Sequence, residues 1–319
     1  MDQDGFRSML VGRNTPADKL NSAIQLAERF ELFAQERGGL TPETAWAFAK
    51  VLIEQGENSE ENLIYLTRYG YFLKNYPVFV AFIELLDGAE AQENLYKKVG
   101  SRYGEALRDE VFAGIGLAPL GIPTPEKPRL MQPVIARLEA ALGTKACQDV
   151  LSDSLRDLPD EYYAGERELF IECNDVDNYL VRKKERFIAQ LEACLRDGRP
   201  FFTQIITQDV VNFVRSQPEM GGGMRSGNVI YETKIPFDTA RYLHATDPQM
   251  KRYFYCHCPW AREAIRSEAD VSPLFCNCSA GFHKRPWEVA LDQPLQAEVL
   301  ESVLRGDSVC RFAIHMPGE

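Results

Sequence analysis

Of the chain's eight cysteines, five fall within residues 256–310: Cys256, Cys258, Cys276, Cys278 and Cys310. The first four form two Cys-x-Cys pairs, Cys256-His257-Cys258 and Cys276-Asn277-Cys278. Thiolates are soft ligands, and four that converge hold zinc tetrahedrally at about 2.3 Å. All five are therefore candidate metal ligands, with Glu301, His283 and His257 as second-rank donors. Neither pair has the Cys-x2-Cys spacing of a zinc knuckle. Free cysteine is also among the most buried residue types, so inert packing and a redox-active or nucleophilic thiol stay open as other readings.

Those residues must be positioned by the elements around them. A strand over Arg252–Cys258 would point Cys256 and Cys258 to one face and His257 to the other. A terminal hairpin is expected from Leu295–Leu304 and Val309–His315. With Gly306-Asp307 as a two-residue turn, Val303 faces Cys310 and Glu301 faces Phe312, which brings Glu301 and Cys310 to one face. A three-residue turn puts Ser302 in place of Glu301. Between the Cys-x-Cys pairs and the hairpin, Ser279–Leu291 reads as a helix that Pro286 would kink or delay.

Further back, helical periodicity covers Asp18–Gln35, a helix from Thr41-Pro42 through Ile53, another from Ser59 through Phe72, and a further one after Pro77. Residues 88–112 are more polar and also helical in pattern. Gly and Pro crowd residues 114–133, which reads as a boundary. Val134–Leu155 and Val176–Leu195 are expected helices that carry Cys147 and Cys194; these two and Cys173 read as packing residues. Phe201–Thr207 and Val229–Ile235 are expected strands, with Gly221–Gly227 a loop between them. The fold class is α+β: an all-helical domain over 1–120, a linker over 121–133, and an α+β domain over 134–319 with an antiparallel sheet and a Cys-rich metal site.

Two resemblances rest on these residues. The run Lys251-Arg252-Tyr253-Phe254-Tyr255-Cys256-His257-Cys258-Pro259-Trp260, with the later Phe275-Cys276-Asn277-Cys278-Ser279-Ala280-Gly281-Phe282, resembles the hallmark of an uncharacterised prokaryotic family. Cys276 through Cys310, with Gly281-Phe282, Gln293-Pro294-Leu295, Glu301 and Gly306-Asp307-Ser308-Val309-Cys310, resembles the zinc-containing vinyl-reductase-type small-molecule-binding domain. Ser302 stands where that family has a cysteine, so Cys256, Cys258 or Cys278 would supply the remaining thiolate. The second resemblance implies a sensor or carrier fold with a structural zinc, a pocket for a small apolar or aromatic ligand, and dimerisation as a homodimer. Tyr253, Tyr255, Trp260, Phe282 and Trp287, along with Phe254 and Phe275, are suitable pocket lining. Core packing is the commoner role for any one of them.

Composition narrows the partners. The 319 residues hold 36 Lys+Arg against 47 Asp+Glu, a net charge of −11, which argues against nucleic acid or an anionic membrane as the main partner. A hydrophobic fraction of 45% is enough to build a core and excludes wholesale disorder. The acidic start and the short apolar runs predict a cytoplasmic chain, where cysteines stay reduced. The expected function is small-molecule binding with a cysteine-held zinc. The alternative is a zinc- or cysteine-dependent hydrolase acting on a small molecule.

Overall fold

Short polar side chains start the first helices. In the computed structural model, which describes residues 1–153, 155–156, 158–267 and 269–317, helix α1 spans Gln3–Gly12 and α2 Leu20–Gln35. Thr41 accepts the amide of Thr44 at 3.2 Å to open α3 (Pro42–Gln55), and Gly56 ends it in the left-handed region at φ 69°. Ser59 caps α4 (Glu60–Phe72) and Asn75 caps α5 (Tyr76–Leu86). The apolar stripes of these helices close on one core in which Phe30 meets Phe48 and Phe82 at ring distances of 5.3 and 5.1 Å.

Helices α4 and α5 approach at Gly70, where an added Cβ would lie 2.8 Å from the amide nitrogen of Phe79. Gly-to-Ala inside a helix ordinarily gains about 0.5–1 kcal/mol. Gly70→Ala is expected to invert that sign and lose about 1–3 kcal/mol, because backbone must move to admit the methyl. Urea unfolding checks it; a gain would show that the two helices do not pack this closely.

The next elements are α6 (Ala91–Tyr103), α7 (Glu105–Val111), α8 (Lys127–Leu142), α9 (Thr144–Leu151), α10 (Ala164–Cys173) and α11 (Val176–Asp197). A small hairpin follows, β1 (Pro200–Phe201) with β2 (Gln204–Ile205), and then α12 (Gln208–Ser216). Strands β3 (Met224–Ser226) and β4 (Val229–Thr233) precede α13 (Thr239–His244), α14 (Pro248–Tyr255) and α15 (Asn277–Leu291). Strands β5 (Gln296–Glu301) and β6 (Arg311–His315) complete an antiparallel sheet of order β3-β4-β6-β5. The α+β class holds, with helices concentrated in the first part and the sheet in the last. Among the described residues no helix is long and apolar enough to cross a membrane.

The chain divides into two compact units that do not follow the expected 1–120, 121–133 and 134–319 division. Met1–Ala89 groups with Gly116–Lys127, and Glu90–Ile115 groups with the chain from Pro128 on. Specific bonds account for this. Asn58 Nδ2 donates to the carbonyl of Leu120 at 2.8 Å in the first unit. In the second, Asn94 Nδ2 donates to Leu155 at 3.1 Å and Lys98 pairs with Asp153 at 2.9 Å.

Several local expectations are corrected. Residues 127–133 are not linker but the start of α8, which keeps Pro128 in its first turn and Pro133 inside while fully burying Met131, Val134, Ile135 and Leu138. Gly143 divides the expected Val134–Leu155 helix into α8 and α9. Arg252–Cys258 is not a strand: Asp247 accepts the amide of Met250 at 2.7 Å and Pro248 opens α14, which runs to Tyr255. Thr207 caps α12 rather than ending a strand, and β3 lies inside the expected loop 221–227.

The terminal turn is longer than two residues. Val299 pairs with Phe312 and Glu301 with Arg311 across a bulge, so the expected Val303–Cys310 and Glu301–Phe312 pairs do not form. Asp307 closes residues 302–307 instead: its Oδ2 accepts the Ser302 amide at 2.8 Å and its own amide reaches the Ser302 carbonyl at 3.1 Å.

Candidate functional site

The end of β4 anchors the cysteine-bearing segments. The amide of Lys234 donates to the Cys310 carbonyl at 3.0 Å, which extends the β4–β6 ladder by one bond and fixes where Cys310 lies. Tyr255 Oη donates to the Lys234 carbonyl at 2.5 Å, and the His257 ring bonds the next carbonyl, Ile235, through Nε2 at 2.7 Å. The Cys-His-Cys run is thus tied to the strand end by the residues on either side of Cys256. Beyond it, the amide of Arg262 donates to the Cys258 carbonyl at 2.8 Å and turns the chain.

The second Cys-x-Cys pair arrives at the start of α15, with Cys276 at the N-cap and Cys278 and Ser279 in the first turn. Cys276 Sγ lies 2.9 Å from the hydroxyl of Ser302, a buried residue of the terminal loop. Lys234 Nζ donates to Ser279 Oγ at 3.3 Å. Ser302 is therefore a direct partner of Cys276.

All five thiols are held protonated. Burial, and then the nearby Cys310, push Cys256 up to about 11; burial and then Cys256 push Cys258 up to about 12. Cys278 rises to about 12 through burial and then Cys258. Burial and Cys310 raise Cys276 well above the ordinary thiol value against the opposing pull of Ser302, and burial raises Cys310. The thiols thus oppose one another's ionisation, yet among the described residues no three or more Cys, His, Asp or Glu side chains meet in a metal-holding group. Cys258, Cys276, Cys278 and Cys310 are half-buried, as are His257, His283 and Lys234.

A second polar centre lies behind the sheet. Glu232 sits on β4 two residues from the buried Ile230 and so shares its inward face. Its carboxylate accepts from Lys183 at 3.0 Å, His283 Nδ1 at 2.8 Å and Trp287 Nε1 at 2.9 Å. Burial would raise this carboxyl, but the Lys183 ammonium, and after it His283, hold it down to about 2. Burial lowers the His283 pKa despite Glu232, so the ring is neutral at pH 7, with its proton on Nδ1 and a lone pair on Nε2. Its ring stacks on Phe312 at 4.7 Å.

Neither a family model, a curated protein nor a solved structure matches this chain.

The aromatic residues named from sequence separate into two groups. Trp260, Trp287 and Tyr255 are fully buried, and Trp287 and Tyr255 spend their polar atoms on Glu232 and Lys234. Tyr253 is half-buried, donates to Glu263 at 2.6 Å and lies under the guanidinium groups of Arg262 and Arg266. Phe282 is half-buried and lies 5.2 Å from the Arg156 guanidinium. Glu301 ends β5 opposite Arg311. Cys147 and Cys194 are buried and Cys173 packs at the edge of a core cluster. Sequence reasoning missed Lys183, Glu232 and Lys234. The signal for Glu232 was an acid at an inward position of the alternating run Val229–Thr233.

Proposed function

We propose that the second unit is a small-molecule-binding module, of sensor or carrier type, whose site is the thiol-rich patch around Lys234. The observation that carries this reading is convergence with access. Hydrogen bonds tie the end of β4 to the run after α14 and to the start of α15, and the start of α15 to the terminal loop; along these segments Cys258, Cys276, Cys278, Cys310, His257, Ser279 and Lys234 are half-buried, while Cys256 is buried in core. Reactive groups collected in this way are the usual material of a binding site.

A zinc held by these cysteines is the second reading, favoured by the electrostatic linkage among thiols from both Cys-x-Cys pairs and the terminal hairpin. A divalent cation relieves such mutual opposition by letting the thiols ionise as ligands. It requires the side chains to draw in around the ion. The cysteine-dependent hydrolase gains no support from thiols held protonated, since the thiolate is the nucleophile.

Native mass spectrometry of the protein as isolated, with thiol alkylation alongside, tests both. The expected result is a retained organic molecule that leaves on acid denaturation. Zinc at one per chain with no organic molecule would overturn ligand binding in favour of a metal staple. A bare chain mass with freely alkylated thiols would overturn both readings.

A further inference from the structure

The other lysines of this region have their charge or their donors met. Lys183 pairs with Glu232 at 3.0 Å, Lys284 with Glu288 at 2.9 Å, and Lys184 donates to the carbonyls of Val214, Gln217 and Met220 at 2.6–2.7 Å. Lys234 differs. Among the described residues its ammonium makes no ion pair, and its side-chain hydrogen bond goes to the neutral hydroxyl of Ser279. A half-buried ammonium loses hydration without gaining a counter-charge, and a bound anion supplies what is missing.

From this we infer that Lys234 and Ser279 hold the carboxylate of a small organic anion, with the rest of that molecule lying along α15 against Phe282. The inference rests on the binding-module reading above and names its ligand class. One ammonium and one hydroxyl match a monoanion. The Arg156 guanidinium, 5.2 Å from the Phe282 ring, adds a second positive group on the side where the ring of the ligand would lie. Ser279, Phe282 and His283 stand three and four residues apart on α15 and so share a face, which sets an apolar ring beside the polar pair. The charge of Lys234 also reaches Cys256, Cys258, Cys278, Cys310, His257 and His283, as expected for a cation amid the patch and not at its rim.

Alkylation by an anionic and a neutral reagent tests this on the full-length, metal-free, reduced chain. Iodoacetate and iodoacetamide attack the same sulfur, so the ratio of their rates at Cys278, measured by peptide mass, reports the local pull on a carboxylate. K234M is expected to lower that ratio by about fivefold or more, beyond the slowing common to both reagents that follows from losing the cation's pull on the Cys278 thiolate, and K234R to retain it. Sodium benzoate, as a probe occupant, should slow both reagents in the wild type and neither in K234M. An unchanged ratio in K234M overturns the inference, and if both reagents slow by the same factor Lys234 serves the thiolates alone. Absence of benzoate protection in the wild type overturns it without any variant. A retained organic molecule in the native protein, combined with no effect of Lys234, removes the carboxylate claim and leaves the binding module standing.

Discussion

Glu232→Ala should destabilise the second unit by about 3–5 kcal/mol, the usual cost of leaving one partner of a buried ion pair alone. The carboxylate is the common acceptor for Lys183, His283 and Trp287, so its loss strands an ammonium, an imidazole N–H and an indole N–H together. A shift from the ordinary 4.5 to about 2 corresponds to roughly 3 kcal/mol by linkage, the same order. Because the folded pKa is the lower one, this stabilisation is complete above the unfolded value and drains away as pH falls from 4.5 toward 2. Glu232→Ala should flatten that acid limb. His257 and His283, held neutral by burial, act earlier: their depressed pKa values cost stability as pH drops below 6.5 in either protein. Urea unfolding followed by tryptophan fluorescence measures this, since Trp260 and Trp287 lie in the second unit. The Lys183→Met/Glu232→Ala pair should lose less than the sum of its single variants. A single-variant loss below about 1 kcal/mol would contradict a buried, shared carboxylate.

Gly281→Ala should also destabilise the second unit and should reach the thiols. An added Cβ would lie 2.4 Å from the Ser152 carbonyl oxygen and 2.8 Å from its carbon, both backbone atoms without a rotamer to yield. Helix α15 must back away, at a cost of about 1–3 kcal/mol or more. The same movement displaces Cys276, Cys278 and Ser279, two to five residues upstream. The expected result is a lower urea midpoint together with altered alkylation rates at Cys276 and Cys278, while Cys194, in a separate core cluster on α11, is unaffected. A midpoint at or above the wild-type value would mean that α15 does not press on Ser152.

The helices of the first unit were legible because their starts carry local signals: Thr41-Pro42, Ser59 and Asn75-Tyr76-Pro77 all sit at observed caps. The same code stands at Asp247-Pro248, ahead of the aromatic run Tyr253-Phe254-Tyr255, where the expected strand gives way to α14. Burial of Tyr255 against Tyr242 and the Lys234 carbonyl explains those aromatics without one. The spacing of Cys256, Cys258, Cys276, Cys278 and Cys310 was legible as a pattern, but among the described residues it gives no metal-holding group, and the partners that define the surroundings of these cysteines could not be anticipated. Lys234 meets Ser279 across 45 residues, and Lys183 meets Glu232 across 49. No periodicity within either segment encodes such a meeting. The terminal hairpin failed for a smaller reason, a bulge after Val299 and an Asp307-closed loop that shift the register.

The threading of the chain between its two units has a consequence for how the protein can be made and divided. The first unit is not finished when residue 89 leaves the ribosome, because the strap at 116–127, which carries the Leu120 carbonyl met by Asn58, is synthesised only after 90–115. Those intervening residues must in turn wait for Leu155 and Asp153. Each unit is interrupted by the other, so neither can be exchanged as one continuous block. Any cut between residues 90 and 127 severs both, and recombination that preserves either unit would need paired breakpoints.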